Sequence, residues 1–376
     1  MARIPQYMLA IPLVLASTTW GGVGQLAMAA TPQLIASAED YDGDGSKRYR
    51  MLASRSSALV AKADMPALAA HLDSLKTDPA LDDASKEKLL RGTLLAMTDL
   101  VPDASTADQV RALKSYQSKA RIPWNEHGHA TSLLASDVAA AARFVEMRWQ
   151  EIAARKSGLD AISAADSTVI DRYAGGSESE RRGIEEAFAA ARPELLVNFG
   201  NELGSRLDQG EPVAKLASIT AIGTRDPGLL ESVLRHAPPE QAVQAIVELD
   251  VQEWGPQASP ALEVGLGRSE TASASLLKLA PLSEFDQDAR RILVDALSGP
   301  HGSSAAAAIA RSNQTAMLDQ LALLLGSSAD EQTQRNALLA LRLADNDRAR
   351  DHLRSFARQA DAPPALVAEV PAWLRD

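Results

Sequence analysis

From Lys47 onward, apolar residues recur at the spacing of an α-helix in almost every segment of this chain. The longest example covers residues 132–156, where an apolar side chain returns every three or four positions: Leu134, Val138, Ala141, Val145, Trp149 and Ile152. No run of four or more residues combines alternation with the β-branched enrichment typical of a strand. Aromatic residues make up only 4% of a chain that is 46% apolar, so Ala, Leu, Val and Ile must build the core. The pattern predicts an all-α protein.

The first 29 residues match a secretory signal peptide. Arg3 supplies the positive start, residues 8–16 (MLAIPLVLA) are apolar, and residues 27–29 (AMA) form the small-x-small pattern of a cleavage site. The alternative is a membrane anchor, which needs about 20 apolar residues, whereas residues 18–22 (TTWGG) interrupt the stretch well before that length. We expect cleavage after residue 29 and a soluble periplasmic or secreted product with no membrane span.

Charge and cysteine content exclude several classes of function. The chain has 38 Lys and Arg against 49 Asp and Glu, a net charge of -11. This balance argues against nucleic acid as the main partner, because phosphate binding depends on Lys and Arg. Cysteine is absent, which excludes disulfides, thiolate catalysis and cysteine zinc sites. The stability of an exported chain of this kind must therefore come from helix packing.

The sequence predicts five segments. The signal peptide (1–29) precedes an acidic, glycine-rich linker over residues 30–46. An N-terminal helical domain over residues 47–174 ends at the Gly-Gly-Ser sequence of residues 175–177. Helical repeats fill residues 178–360, and the proline-containing residues 361–376 are expected to cap the last repeat.

In the C-terminal half, a short helix, a turn and a second helix recur about every 30 residues. Asp226 followed by Pro227 is typical of such a turn, because the carboxylate caps the helix that the proline begins. The predicted units begin at Glu178, Pro212, Pro239, Glu270, Gly302 and Glu331. One hairpin cannot bury its apolar face alone, whereas a stack of hairpins buries it against its neighbours.

This half resembles the HEAT-like family of helical repeats in its short form. The resemblance rests on residues 336–341 (NALLAL), then Asp345, then residues 349–353 (ARDHL). Most units lack a proline in the first helix and a fixed Asp-Val-type turn, so a generic solenoid of helical hairpins is the alternative. Either form implies about six hairpins with a concave face. The resemblance implies that the second helices line this face, with these candidate residues: Asn198, Asn201, Glu202, Glu231 and Arg235.

Asp40, Asp42 and Asp44, followed by Gly45, match the start of a calcium-binding loop. Position 12 of that loop needs a bidentate glutamate, but this chain has Met51 there. The alternative is that the segment is only an acidic linker behind the signal peptide.

His127 and His129 are the one closely spaced histidine pair, and with Glu126 they resemble the start of a metal site. No third ligand stands at a defined spacing, so the alternative is a polar loop that leads into the long helix. The adjacent pairs Arg181-Arg182 and Arg290-Arg291 are either solvated helix faces or part of a binding surface. The sequence contains no Gly-x-Ser-x-Gly motif, and it places no acid and base together.

These patterns favour an exported, non-catalytic scaffold or adaptor that binds a protein or peptide through a helical-repeat surface, without a cofactor. Two alternatives stay open. One is a metal-dependent enzyme with its site near His127 and His129 in the N-terminal helical domain. The other is a structural subunit of an envelope complex.

Overall fold

The computed structural model describes residues 47–126, 129–326, 330–359 and 362–374. The expected signal peptide and linker lie outside these ranges, and so do Asp40, Asp42, Asp44 and His127.

The first helices are α1 Lys47–Ala61, α2 Met65–Thr77, α3 Asp83–Ala96 and α4 Ala104–Leu113, and aspartates cap the last three. The side chains of Asp64, Asp82 and Asp103 accept from backbone N–H groups at the starts of α2, α3 and α4, at 3.2, 2.7 and 2.8 Å. Each bond satisfies a donor that the helix itself leaves unpaired. Of the two adjacent aspartates at the start of α3, Asp82 is the one that caps the helix.

A β-hairpin follows α4, which the sequence analysis did not predict. Strands β1 Arg121–Glu126 and β2 His129–Leu134 pair antiparallel, with Arg121 opposite Leu134 and Glu126 opposite His129. The sequence analysis expected a polar loop over residues 124–129. That expectation is wrong for residues 124–126, which lie in β1, and for His129, which begins β2. The all-α class stands, because this hairpin is the only strand pair in the described residues.

The long helix α5 spans Val138–Ser163 rather than residues 132–156. It begins later because β2 takes up residues 129–134, and the Asp137 carboxylate then caps the helix through the Ala140 N–H at 2.8 Å. It also continues beyond residue 156 and past Gly158. A Cβ at Gly158 would lie 2.8 Å from the Ala187 Cβ, so this glycine permits close helix packing inside the helix.

The described chain divides into two compact units between Trp149 and Gln150, within α5. The first unit has a core of Leu, Val, Met and Ala side chains from α1 to α4 and the first part of α5. Helix α6, Thr168–Gly175, lies just before the break that the sequence shows at residues 175–177. Its buried residues Val169, Ile170 and Tyr173 belong to the core of the second unit.

In the second unit, helices begin within two residues of every predicted unit start. The first helices of the pairs are α7 Glu178–Ala190, α9 Ala214–Thr224, α11 Pro239–Glu248, α14 Ser269–Leu282, α16 Gly302–Ser312 and α18 Glu331–Ala344. The second helices are α8 Pro193–Asp208, α10 Pro227–His236, α13 Ala258–Gly265, α15 Gln287–Asp295, α17 Thr315–Leu325 and α19 Asp347–Phe356. In the third pair, Gly255 and Pro256 interrupt the helix, which leaves the short helix α12 Val251–Trp254 before α13.

These helices pack in two rows. Each first helix contacts the first helix of the next pair, from α7 through α9, α11, α14 and α16 to α18. Among the second helices, α8 contacts α10, α10 contacts α13, α13 contacts α15, and α17 contacts α19. One contiguous apolar core runs between the rows. This packing of neighbours is compatible with a helical repeat.

Buried polar side chains also join successive pairs. The Asn336 amide on α18 donates to the Leu297 carbonyl at 2.7 Å, and the Ser259 hydroxyl donates to the Asp286 carboxylate. At the C-terminal end, α20 Pro364–Trp373 packs on α19, and the Arg342 guanidinium lies 5.2 Å from the centre of the Trp373 ring. Within the described ranges, no helix is both long and apolar enough to cross a membrane.

Candidate binding surface

The second helices α8, α10, α13, α15, α17 and α19 form a surface that we call the second-helix row. Each of these helices buries one apolar stripe against the core; in α8 the stripe includes Leu196, Phe199 and Leu203. The opposite side of each helix is exposed. The second-helix row therefore offers side chains that the fold itself does not use for packing.

Ion pairs connect neighbouring helices along this row. Oppositely charged side chains that lie on successive helices, about one repeat apart in the sequence, face each other. The pairs are Arg206 with Asp171 of α6 at 2.6 Å, Arg291 with Glu263 at 3.4 Å, and Arg348 with Asp319 at 2.8 Å. His236 Nε2 also lies 3.5 Å from the Asp208 carboxylate. Exposed pairs of this kind contribute little to stability, but they fix the positions of the charges they join.

Asp319 shows how strongly these contacts act on one carboxylate. Arg348 and His352 on α19 both reach it, at 2.8 and 2.7 Å. Their hydrogen bonds lower the pKa of Asp319 to about 2. The carboxylate therefore stays charged over the whole physiological pH range, and its hydrogen bonds are made to Arg348 and His352 of the same protein.

Two second helices carry an uncharged segment on their outward side, and on α8 the exposed residues Glu194 and Asp208 stand at its two ends. On α8, Asn198, Asn201 and Ser205 are exposed and fall at spacings of three and four residues, on one side of the helix. On α17, Gln320 and Leu323 are exposed, and Leu323 is 75% exposed. Uncharged amide and apolar side chains can pair with a partner without first breaking an internal ion pair.

The residues that the HEAT-like resemblance implied fall into two groups. Asn198 and Asn201 are exposed on α8. Glu202 accepts from Arg206 at 2.7 Å, while Glu231 lies 3.9 Å from Arg235 on the same helix. The two asparagines are therefore available to a partner, whereas Glu202 is occupied by an arginine of its own helix.

The arginine pairs serve mainly internal contacts. Arg181 donates to the carbonyls of Tyr173 and Ala174 at 3.0 and 2.9 Å and so caps the end of α6. Its neighbour Arg182 pairs with Glu178 at 2.5 Å. Arg291 reaches Glu263, as described above, and Arg290 is half-buried. Of the two earlier interpretations, these contacts favour ordinary helix faces.

The metal hypothesis concerns the hairpin. The backbone of His129 pairs with that of Glu126, while His127 lies outside the described residues. Among the described side chains, no group of three potential ligands is close enough to hold a metal ion. A metal site at His127 and His129 therefore stays a prediction.

A buried polar group in the first unit has catalytic residue types but no access. The Ser56 hydroxyl lies 2.8 Å from His71 Nε2, and the Thr93 hydroxyl donates to Ser56 at 2.8 Å. A serine beside a histidine is the geometry of an activated nucleophile, but Ser56 and His71 are only 7% and 1% exposed. Burial and the positive charge of Arg55 lower the pKa of His71. Hydrogen bonds among Ser56, His71 and Thr93 therefore connect α1, α2 and α3, and the histidine is neutral.

Glu87 on α3 is fully buried and holds the chain that leads into β1. Its carboxylate oxygens accept from the backbone N–H groups of Lys119 and Ala120, at 2.6 and 3.3 Å. Burial raises the pKa of this carboxyl. Nearby, a shallow recess of about 410 Å³ lies between the start of α3, at Asp82 and Asp83, and residues 119–121. Its mixture of carboxylates and cations contains no pair of groups suited to a defined reaction.

No protein-family model, curated protein or solved structure matches this chain. Because fold alone does not fix function, the function must be argued from the surface that the residues build.

Sequence reasoning missed the ion pairs of the second-helix row and the buried group around His71. The ion pairs could have been found in the sequence, because Glu263 and Arg291, like Asp319 and Arg348, are opposite charges about one repeat apart. The buried group could not, because Ser56, His71 and Thr93 are scattered polar residues whose meeting depends on how three helices pack.

Proposed function

We propose that this protein is an exported, non-catalytic scaffold or adaptor whose second unit is an α-solenoid of the HEAT-like kind. The two rows of helices support this proposal, because each pair packs mainly on its neighbours and extends a common core. Solenoids of this architecture present long surfaces to protein partners. The proposed partner is a folded protein or an extended peptide.

The observation that carries the proposal is the contrast within the second-helix row. Some charges on the row are joined to a neighbouring helix, as in the pair of Arg348 with Asp319. The stripes on α8 and α17 are exposed and uncharged instead. Interface centres are depleted in charged residues and are surrounded by a polar rim. We therefore place the partner along the row, with Asn201 and Gln320 inside its footprint.

Substitution of these two residues tests the footprint. Asn201→Arg and Gln320→Arg each add a long charged side chain to an uncharged stripe and alter no buried contact. The matched control is Ser303→Arg, which adds the same side chain at an exposed position of α16, in the row of first helices.

The assay is affinity capture of the full chain and its three variants from native envelope extract, quantified by mass spectrometry. One partner should be retained by the wild type and by Ser303→Arg and lost from Asn201→Arg and Gln320→Arg. Equal retention by all four proteins, or loss from the control alone, would contradict the proposed surface. Full-length variants are preferable to a chain that ends at residue 176, because α6 packs into the core of the second unit.

A further inference from the structure

The two units differ sharply in charge. Residues 47–149 contain 15 Lys and Arg against 12 Asp and Glu, a net charge of +3. Residues 150–376 contain 22 Lys and Arg against 33 Asp and Glu, a net charge of -11. The described residues of the first unit are therefore cationic, although residues 30–46 before them contain four acidic residues and no basic one.

Helix α1 concentrates this positive charge. Its sequence, KRYRMLASRSSALVA, has four basic residues and no acidic one, and Lys62 follows directly. Leu52 and Ser56 are buried against the rest of the unit, whereas Lys47, Arg55 and Lys62 are all exposed.

The exposed cations share one side of the helix. At 3.6 residues per turn, Lys47, Arg55 and Lys62 fall within an arc of about 80°. Met51 lies inside that arc and is 51% exposed. We call these four residues the basic face of α1.

Among the residues that the structure describes, no acidic side chain neutralises the basic face. Arg48, at the edge of the arc, pairs with Asp78 at 2.6 Å. In the part of the chain that the structure describes, Lys47, Arg55 and Lys62 form no ion pair. Three full charges are therefore available to an external anion.

We propose that the basic face of α1 binds the surface of an anionic phospholipid membrane. A bilayer surface demands only a convex, cationic face, because lipid headgroups rearrange around it. A protein partner would demand apolar anchors in a packed, desolvated centre, and Met51 is the single exposed large apolar side chain on α1. The proposal is independent of the partner assigned to the second-helix row, since different residues carry it.

The size of the effect follows from the number of charges. Each basic residue near an anionic membrane contributes about 1 kcal/mol of binding, and 1.4 kcal/mol is a factor of ten in affinity. Replacement of Lys47, Arg55 and Lys62 by glutamine should therefore weaken membrane partitioning about a hundredfold.

The test is co-sedimentation of the purified protein with vesicles of phosphatidylglycerol mixed into phosphatidylcholine. The triple variant Lys47→Gln, Arg55→Gln, Lys62→Gln is compared with a control of equal charge change, Lys156→Gln, Arg192→Gln, Arg311→Gln. All three control positions are exposed. Every protein has the same N-terminal segment, so any contribution of residues 1–46 cancels. Circular dichroism establishes that both variants are folded.

We expect the wild type and the control variant to bind the anionic vesicles at about 10 mM salt, where the Debye length is about 30 Å, and to be released at about 1 M, where it is about 3 Å. The triple variant should bind about a hundredfold more weakly. Equal binding of the two variants, or binding that persists at high salt, overturns the proposal. Binding to polyglutamate but not to vesicles also overturns it, in favour of an acidic protein.

Discussion

Asn336→Ala should destabilise one part of the second unit and leave the rest unchanged. The Asn336 side chain is 4% exposed, and its Nδ2 donates to the Leu297 carbonyl at 2.7 Å, across 39 residues of sequence. Gly302 lies against the same amide, because a Cβ there would stand 2.0 Å from Nδ2. This one side chain therefore connects α18 to the segment that leads from α15 into α16.

The expected magnitude follows from the carbonyl that is left behind. Loss of the amide leaves the buried Leu297 carbonyl without its donor, which costs about 1–3 kcal/mol. A value of about 2 kcal/mol corresponds to about a thirtyfold loss of hydrogen-exchange protection. In a chain of stacked pairs, stability depends on nearest neighbours. The loss should therefore be confined to amides of α15 to α19.

Native-state hydrogen exchange, read by mass spectrometry, measures this directly. The control is Gln332→Ala, which removes an exposed side chain that donates to Asn336 at 3.3 Å, and it should change protection only slightly. If Asn336→Ala lowered protection equally from α7 to α19, nearest-neighbour packing would be the wrong description. An effect no larger than that of Gln332→Ala would refute the role of the buried hydrogen bond.

Three further predictions test other features. Gly183→Ala should lower the melting temperature by several degrees, because the new Cβ would lie 2.7 Å from the Ala154 Cβ and 2.2 Å from a backbone oxygen of α5; an unchanged melting temperature in a thermal scan would refute this close packing. The lowered pKa of His71 means that the unfolded state binds its proton first, so the free energy of unfolding should fall below about pH 6.5, by at most about 1.4 kcal/mol per pH unit. Urea titrations at several pH values should show this slope in the wild type and less of it in His71→Gln; an equal slope in both would assign it to other groups. Zinc titration by calorimetry tests the metal hypothesis, which predicts binding that disappears in His127→Ala, His129→Ala; binding that survives, or no binding to the wild type, would reject it.

The sequence predicted most of the helices and several of their caps, because these depend on neighbouring residues. Asp226, for example, accepts from the Leu229 N–H at 3.1 Å and Pro227 begins α10, as the Asp-Pro pattern indicates. Asn346 likewise caps α19 through the Ala349 N–H at 2.8 Å. Local chemistry of this kind can be interpreted without knowledge of the fold.

Features that depend on distant residues could not be predicted in this way. The strands of the β-hairpin are short and Pro123 lies in the first of them, so their sequence lacks a clear alternation. In the sequence alone, Gly158 resembles the end of a helix. In the structure it lies inside α5, because Ala187 packs so close to it that there is no room for a Cβ. The two uncharged stripes of the second-helix row became visible only once the ion pairs between helices were located.

The central claim is that a protein partner lies along the second-helix row. The most direct measurement is site-specific photocrosslinking in cells, with the photoreactive residue placed singly at Asn201 and Gln320 in the row and at Gln244 and Ser303 on the first helices; all four positions are exposed. We expect one partner to be crosslinked from Asn201 and Gln320 and not from Gln244 or Ser303. Crosslinks from the first helices alone, or from no position, would contradict it.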